Sequence, residues 1–415
     1  MRSSRKVLMI CYYFPPIVTS GVTRSFEFAK LLPRFGWDPL VLSVMRSKDP
    51  WVEPVLGEDP KALRVERTFE WNLAGLADFL HGCWCRVARL FGIVPDRNLF
   101  REYLCFPDSQ VAWFSTIRAQ KLAGECRVIY VSCSPFSSSV SAAVVKRRTK
   151  LPLVVDFRDA WSLNPHIRFG RLRRALVGRL ERFVLGVCDA LIVNTEGAGR
   201  IYKSVYPEYR NKIVVIPNGY DELTPVVRRT NDGIFKIMHV GSFYGTRNPD
   251  LLLECLSEIN REDIVFVQVG GGFDSYQRFR NQVKIEVLPA LPRQKALELM
   301  RDASLLYLKQ GWEPGVTDYV AVGAKTFEYL ATGLPILAEV PPGDNAEIVR
   351  RYASSGYTVT SRSRAELRRA VESAYAARSR TNVSVSAEFQ EKFSRQQLTR
   401  QLADVFDRLS SQSRT

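Results

Sequence analysis

The segment 325–337 combines charged side chains with the pattern of a helix that leads directly into a buried strand. Glu328 has aromatic residues on both sides, and a Gly-Leu-Pro turn ends its helix before the apolar strand at 336–338. A carboxylate in this setting suits the hydroxyl groups of a ribose, and Lys325, one turn away, suits a phosphate. A half-buried structural salt bridge is the alternative, and the local sequence leaves both interpretations open.

A second group of candidates follows the strand predicted at 235–240, where a glycine-containing loop leads into a helix. Gly241 and Ser242 open this loop, and Arg247 stands just ahead of the helix N-terminus. An arginine adds a fixed cation to the free amide donors there, which suits a diphosphate. A solvated surface arginine is the alternative. Gly270 is a further candidate, because a glycine permits close approach of the backbone. Arg293 is another, since it is a cation that could contact a nucleotide.

In the first half of the chain, two loops that follow predicted strands hold the candidates. Gly21 stands where a helix begins, so backbone N–H groups and the helix dipole could face an anion. A simple turn is the alternative. The segment 156–159 carries two carboxylates and an arginine out of an apolar strand. We expect backbone N–H groups to satisfy Asp156, and Asp159 to act as a general base. A structural ion network is the alternative.

Short apolar runs alternate with helical patterns through both halves of the chain, which is typical of βαβ units on parallel sheets. The predicted strands are 6–12, 39–43, 128–132, 153–156, 190–194, 213–216, 235–240, 264–269, 285–287, 305–308, 335–338 and 356–358. The pattern predicts an α/β fold with two doubly wound, Rossmann-like domains that face each other across a cleft.

A polar stretch after residue 220 separates the two series of strands and predicts the division into domains. We expect an N-terminal Rossmann-like domain over residues 1–220 and a second one over residues 221–385. Residues 386–415 are expected to form a C-terminal helix, at about 387–409, that packs back on the first domain. The sequence shows no internal repeat of fixed period, which excludes a solenoid.

Composition limits the class of protein. The chain has 415 residues, of which 46% are hydrophobic and 25% charged, as in ordinary globular proteins with more than one domain. The formal net charge of +16 indicates an anionic partner. We expect no nucleic acid, because zinc-finger spacing, an aromatic RNA-binding signature and a basic region followed by heptads are all missing. A phosphorylated substrate and an acidic membrane surface remain.

Cysteine and histidine usage argues against a metal site. Eight cysteines occur without CxxC pairs, as expected for reduced thiols in the cytoplasm, and the three histidines lack metal-ligand spacing. The apolar run at 7–13 is expected to form a first strand and not a signal peptide. No apolar stretch approaches the roughly 18 residues needed to span a bilayer.

Taken in their order along the chain, these motifs resemble glycosyltransferase family 4, which has the GT-B architecture. The segments that carry the resemblance are Tyr13-Phe14-Pro15-Pro16 with Gly21, 132–138, 156–161, Ile216-Pro217-Asn218-Gly219, His239-Val240-Gly241 with Arg247-Asn248-Pro249, and 325–335. The resemblance implies transfer of a sugar from a nucleotide diphosphate donor with retention at the anomeric carbon, without a metal or other cofactor. It places donor binding mainly in the second domain.

The resemblance also implies roles for individual residues. Glu328 would bind the ribose hydroxyls, and Arg247 and Lys325 would clamp the diphosphate, which agrees with the need to stabilise developing charge on a leaving group. Gly21 would be a backbone contact near the transferred sugar. The donor-binding set as a whole comprises Gly21, Gly241, Ser242, Arg247, Gly270, Arg293, Lys325 and Glu328.

Three positions depart from the family pattern. Many members carry two glutamates with seven residues between them, and Val320 stands at the first of these positions. Asp318 or Glu313 could substitute for that acid. Ser242 occupies the place of a second diphosphate-binding arginine, and the Arg158-Asp159 pair replaces a frequent histidine.

The segment 71–91 is strongly amphipathic. At about 100° per residue, one stripe collects Leu73, Ala77, Leu80, Trp84, Val87 and Phe91. This stripe could lie in a membrane interface, line a groove for a lipid-linked acceptor, or pack on the sheet as an ordinary core-facing helix. A basic helix at 168–182 could add attraction to anionic lipids.

The interpretation that best joins these features is a retaining, metal-independent glycosyltransferase of cell-surface glycan synthesis. Its partners would be a nucleotide-sugar donor, a glycan or lipid-linked acceptor, and an anionic membrane. We expect it in the cytoplasm, peripheral on the inner face of the cell membrane. The alternatives are a nucleotide-sugar epimerase of similar fold and a non-catalytic GT-B adaptor that binds nucleotide or membrane.

Overall fold

The computed structural model describes most of the chain. The described residues are 5–17, 19, 21–47, 62–95, 97–113, 115–164, 170–221, 233–271, 273, 276–313, 315–316, 319–379 and 383–412. Within them, the chain forms two compact units, one from residues 1–194, 198–216 and 398–415 and the other from residues 195–197 and 217–397.

The first unit is built on a seven-stranded, fully parallel sheet. Its strands are β1 (Arg5–Cys11), β2 (Trp37–Val44), β3 (Arg64–Thr68), β4 (Val128–Cys133), β5 (Leu153–Phe157), β6 (Ala190–Val193) and β7 (Ile213–Val215). Its helices are α1 (Val22–Leu31), α2 (Leu73–Leu90), α3 (Leu99–Leu104), α4 (Thr116–Ala123), α5 (Ser137–Thr149), α6 (Arg171–Val187) and α7 (Glu196–Val205), with 3₁₀ turns at Leu32–Phe35 and Pro207–Lys212. The strand order is β3-β2-β1-β4-β5-β6-β7.

The second unit contains a six-stranded parallel sheet. Its strands are β8 (Phe235–Val240), β9 (Ile264–Val269), β10 (Lys284–Leu288), β11 (Leu305–Lys309), β12 (Ile336–Glu339) and β13 (Gly356–Val359). The helices are α8 (Asp250–Ile259), α9 (Tyr276–Phe279), α10 (Arg293–Leu299), α11 (Ala324–Thr332), α12 (Asp344–Tyr352), α13 (Arg364–Ala376), α14 (Ala387–Phe393) and α15 (Arg395–Gln412), with a 3₁₀ turn at Met300–Asp302. Of these, α15 begins in the second unit but lies mostly in the first, which includes its residues from Leu398 onward.

Both sheets have a doubly wound strand order. Successive strands are first added on one side of the first strand of the sheet and then on its other side. In the second unit the order is β10-β9-β8-β11-β12-β13, so the reversal falls between β8 and β11. In the first unit it falls between β1 and β4. The predicted α/β class with two doubly wound domains is therefore confirmed.

The elements depart from the prediction at two places. Strand β3 was not predicted, because it is an edge strand with partly exposed charged residues and lacks the apolar run of a central strand. The single helix expected at 387–409 is two helices, α14 and α15, with Ser394 in an extended conformation between them. Residues 386–397 group with the second unit, and residues from Leu398 onward group with the first.

The C-terminal helix α15 completes the core of the first unit. Leu398, Leu402 and Phe406 are buried with the apolar side chains of β1, β4 and α1. The Trp37 and Phe406 rings meet edge to face at 5.3 Å, and Trp37 Nε1 donates a 2.8 Å hydrogen bond to Asp407. Burial of these rings ties the end of the chain to its first strands.

A search of the described residues for a membrane-crossing segment gives a negative result: no helix in them is both long enough and apolar enough.

Candidate functional site

The candidates of the second unit converge where its strand order reverses. The loop that begins at Gly241 follows β8, and α11, which carries Lys325 and Glu328, comes after β11. These are the two strands on either side of the reversal. Loops at the carboxyl ends of such strands form the crevice in which α/β proteins bind ligands. The sheet therefore brings Gly241, Lys325 and Glu328 to a position suited to a ligand.

Two glycines make room for the Lys325 side chain. A Cβ atom on Gly241 would lie 2.1 Å from Lys325 Nζ, and a Cβ on Gly270 would lie 2.9 Å from the Gly241 backbone. Both glycines have a φ of +127°, a conformation that residues with side chains rarely adopt. Ser242 Oγ donates a 3.2 Å hydrogen bond to the Gly270 carbonyl and so joins the two turns. The backbone here fits closely around one ammonium group.

His239 holds the Lys325 ammonium from the sheet side. His239 Nδ1 lies 2.9 Å from the Tyr307 carbonyl oxygen, so this nitrogen carries the proton and donates. Nε2 is left as an acceptor 3.5 Å from Lys325 Nζ. Burial, together with the charge of Lys325, holds the pKa of His239 well below its usual range. The ring is therefore neutral and orients Lys325 without opposing its charge.

Lys325 is a cation in an environment that disfavours its charge. Burial and the nearby charge of Arg247 lower its pKa to about 8, although Glu328 acts in the opposite direction. Among the described residues, no carboxylate lies within ion-pair distance of Lys325. An anionic ligand would supply the missing counter-charge.

Arg247 is positioned by a tight turn. The backbone N–H groups of Tyr244 and Arg247 bond each other's carbonyls at 3.0 and 2.9 Å. The guanidinium lies 5.1 Å from the centre of the Tyr244 ring and donates a 2.6 Å hydrogen bond to its hydroxyl. Thr246 Oγ1, in the same turn, donates a 2.7 Å hydrogen bond to the Glu313 carboxylate, which holds the turn in place. In the described part of the chain, Arg247 has no acidic partner.

Glu328 is paired with an arginine. Arg293 donates to Glu328 Oε1 from Nε at 2.9 Å and from Nη2 at 2.7 Å, and Nη1 donates to Asp221 at 2.5 Å. Asp221 also lies 3.4 Å from the buried Arg395. The Glu328 side chain is 16% exposed, and no described residue donates to its second oxygen. Arg293 thus fixes the carboxylate and leaves one oxygen for another donor.

Of the departures from the family pattern, Val320 and Glu313 take structural roles. The Val320 carbonyl accepts a 2.7 Å hydrogen bond from Thr195 Oγ1, and its apolar side chain offers no acid. Glu313 is engaged by Thr246. Asp318 lies outside the described residues. Val320 therefore supplies no acid, and Glu313 has one of its two carboxylate oxygens engaged.

In the first unit, Asp156 belongs to the core. It is fully buried and accepts hydrogen bonds from Arg24 at 2.8 and 3.3 Å and from the Tyr130 hydroxyl at 2.6 Å. The expectation that backbone N–H groups satisfy this carboxylate is wrong, because an arginine from α1 reaches across the carboxyl end of the sheet. Arg24 also donates to the Ile216 carbonyl at 2.8 Å, so the pair joins α1, β5 and the end of β7.

Gly21, Arg158 and Asp159 lie at the same edge of the first sheet. Arg158 donates to the carbonyls of Cys133 at 3.0 Å and Ser134 at 2.7 Å. A Cβ on Gly21 would lie 2.0 Å from Arg158 Nη1, so the start of α1 packs on this guanidinium. Asp159 is exposed and has no hydrogen bond or ion pair with any described residue. Its role as a base stays a prediction, as does the sugar contact of Gly21.

Sequence reasoning missed three side chains that organise the second site. In the sequence, His239 belongs to a motif whose candidates are its glycine and its arginine, and neither Tyr244 nor Asp221 is among the candidate residues. The only local signal for His239 was a polar residue inside an apolar strand. Asp221 gave none, because it meets Arg293 across 72 positions of sequence. No group of three or more His, Cys, Asp and Glu side chains that could hold a metal occurs in the described residues.

The chain matches two family models that together account for most of its length. The model described as "Glycosyl transferase 4-like domain" matches residues 21–219, and the model described as "Glycosyl transferases group 1" matches residues 222–394. No curated protein matches the chain in a sequence search.

Solved structures, two of them described as glycosyltransferases, share the fold over nearly the whole chain. The Anabaena protein Alr3699/HepE, solved with UDP and glucose, superposes with a TM-score of 0.63 at 14% identity and covers 97% of this chain and 99% of its own. A glycosyltransferase from Rickettsia africae gives 0.63 at 12% identity over 98% of each chain. The lipopolysaccharide outer core galactosyltransferase WaaB gives 0.56 at 11% identity over 97% of this chain and 99% of its own.

The fold is thus that of the GT-B glycosyltransferases. The two family models together show that the chain belongs to the family 4-like glycosyltransferases and is a transferase enzyme. The interpretation as a glycosyltransferase is confirmed at this level.

Proposed function

We propose that this enzyme transfers a sugar from a nucleoside diphosphate donor, with retention at the anomeric carbon and without a metal ion, to a lipid-linked or polysaccharide acceptor in cell-surface glycan synthesis. The observation that carries the proposal is the pair of cations, Lys325 and Arg247, at the strand reversal of the second sheet. Neither has a carboxylate partner among the described residues, and both are fixed by neighbouring side chains at the strand reversal. A departing diphosphate would supply the missing negative charge.

The chemistry of leaving-group departure follows from these positions. As the bond between the anomeric carbon and the diphosphate breaks, negative charge accumulates on the leaving oxygen. Fixed cations that need no rearrangement stabilise that charge most effectively. Lys325 is already oriented by His239, and Arg247 by the Tyr244 hydroxyl. Two side-chain cations would offset the charge of the departing diphosphate, so the proposal requires no metal.

The remaining donor contacts extend the same site. We propose that the free oxygen of Glu328 accepts hydrogen bonds from the ribose hydroxyls while Arg293 holds the carboxylate in place. The turns at Gly241, Ser242 and Gly270 would face the phosphates. The Anabaena relative was solved with UDP and glucose, which supports a nucleotide-sugar donor of this general kind. Retention rests on the resemblance to family 4.

The proposed cellular setting is the cytoplasmic face of a membrane with anionic lipids. The net charge of +16 supports attraction to such a surface. A lipid-linked acceptor would be reached from the same side.

The test begins with a thermal-shift panel of uridine, guanosine, adenosine and thymidine diphosphate sugars, since a bound donor stabilises the folded form. With the best donor, we expect Arg247→Ala and Glu328→Ala each to lower donor hydrolysis or transfer about 100-fold. Arg261→Ala, which removes an exposed partner of Asp263, is the matched control and should stay near the wild-type rate. EDTA should leave the rate unchanged, and NMR of the product should show the donor's anomeric configuration. Full activity in both site variants would refute the proposal.

A further inference from the structure

Helix α2 buries small residues and exposes large ones, the reverse of a core-facing helix. Its buried residues are Ala74, Ala77 and Ala88. Its large apolar side chains that are exposed to solvent are Leu76, Phe79, Trp84, Val87 and Leu90, and they are followed by Phe91. At about 100° per residue, these six fall within an arc roughly 140° wide that adjoins the alanine face. The predicted stripe at 71–91 therefore packs on the protein only at its N-terminal end.

The apolar surface continues beyond α2. The exposed residues that extend it along the chain are Ile93, Val94, Leu99, Tyr103 and Leu104. Asp78 holds α3 against α2, because it accepts hydrogen bonds from Asn98 at 2.9 Å and Arg101 at 3.3 Å. Between them the helices form an open cavity of about 700 Å³ whose lining includes Trp84, Phe100 and Tyr103. A continuous apolar surface of this kind marks an interaction site.

The unpaired charges beside this α2–α3 surface are cationic, because its acids Asp78 and Glu102 each pair with an arginine. Arg86 and Arg89 are exposed on α2. At about 100° per residue, Arg86 lies roughly 20° beyond one edge of the apolar arc and Arg89 roughly 80° beyond the same edge. Arg171 and Arg174 begin α6, which is linked to the chain beyond α3 by a 3.4 Å hydrogen bond from Arg173 to the Pro107 carbonyl. Within the described residues, none of the four exposed arginines has an acidic partner. The surface therefore offers an apolar centre and unpaired positive charge beside it.

We propose that the α2–α3 surface inserts into the headgroup and upper acyl region of an anionic bilayer. Aromatic side chains favour that boundary, and flanking arginines attract anionic headgroups. A second copy of the chain fits less well, because a two-fold interface would bring the same unpaired arginines together. The proposal rests on the membrane partner proposed above, which it gives a contact surface, and it does not depend on the transfer reaction.

The experiment measures sedimentation of the full chain with vesicles of phosphatidylcholine, with or without phosphatidylglycerol. We expect the wild type to bind the anionic vesicles and Leu90→Glu/Phe91→Glu to bind about tenfold more weakly. Both side chains are highly exposed, at 83% and 75%, so the fold should be retained. Val287→Glu, at an exposed apolar position of the second unit, is the matched control and should bind like the wild type. Arg86→Gln/Arg89→Gln should weaken binding severalfold and reduce its salt dependence.

A second readout places the surface in the bilayer. Lipids with brominated acyl chains should quench wild-type tryptophan fluorescence more than that of Trp84→Phe. Equal quenching, equal sedimentation of the Leu90→Glu/Phe91→Glu variant, or indifference to phosphatidylglycerol would each overturn the proposal. A wild-type dimer that this variant converts to a monomer, without vesicle binding, would assign the surface to a second copy instead. Nucleotide-sugar binding, measured by thermal shift without vesicles, tests the proposed function separately.

Discussion

Two charged clusters lie at the carboxyl ends of the two parallel sheets, and they differ in how their charges are neutralised. In the first unit, Arg24 and Asp156 are buried to 3% and 0% exposure and bond each other directly. In the second unit, Lys325 and Arg247 are close enough for their charges to interact, and no described carboxylate neutralises them. The same strand order thus supports an internally neutralised cluster in one unit and an open cationic cluster in the other.

The difference teaches how to separate structural from functional charge. In a buried ion pair with further hydrogen bonds, the attraction between the partners offsets the free energy of desolvation, so the pair needs no ligand. A cation whose pKa is lowered by burial, as that of Lys325 is to about 8, remains in an unfavourable position until an anion arrives. Removing charge from the two clusters should therefore have opposite effects on stability.

The largest expected effect is in the first cluster. Asp156→Asn should lower the free energy of unfolding by about 3–5 kcal/mol, because it leaves Arg24 buried and uncompensated. Urea unfolding followed by circular dichroism measures the change. Arg24→Met/Asp156→Leu should recover much of the loss, since it replaces both charges with apolar groups. By contrast, Lys325→Met should leave the unfolding midpoint unchanged or raised. A large loss of stability in Lys325→Met would remove the distinction between the clusters.

The second prediction concerns the pH dependence of the open cluster. Lys325 is charged below pH 8 and loses its proton above it, because its pKa is lowered to about 8. The affinity for a nucleoside diphosphate should therefore fall as pH rises, by about tenfold per unit once the pH is well above 8. Calorimetric titration between pH 7 and 10 would show this, using the diphosphate that stabilises the protein most. Lys325→Arg should bind with a much flatter profile over the same range, because arginine keeps its charge. An identical slope in both proteins would assign the effect to another group.

The smallest expected effect separates positioning from charge at Glu328. Arg293→Lys keeps the positive charge but loses the two guanidinium N–H donors that converge on Glu328 Oε1. We expect donor KM to rise about fivefold with kcat nearly unchanged, corresponding to roughly 1 kcal/mol for one hydrogen bond. Steady-state kinetics measures this split. Arg261→Lys alters a comparable arginine pair with Asp263 away from α11 and should keep the wild-type KM. An equal fall in kcat would mean that Arg293 itself contacts the reacting groups.

The sequence by itself determined the fold class and most of the strands. Apolar runs such as 235–240 and 264–269 coincide with β8 and β9, because a central parallel strand is buried on both faces and is therefore mostly apolar. Edge strand β3 could not be predicted from an apolar run, because only one side of it is paired and its side chains are partly exposed. Lys325, Glu328 and Arg247 could also be singled out in the sequence, since charged residues at strand–helix junctions stand out locally.

Only the tertiary structure decided which charges are paired. Asp156 meets Arg24 across 132 positions, and Glu328 meets Arg293 across 35, distances over which no local pattern carries information. The same holds for α2, whose amphipathic sequence fits both a core helix and a surface helix. Burial of its alanines left the large side chains exposed. Local patterns report the periodicity of an element, whereas the partner of a charge or of an apolar face depends on how distant segments pack.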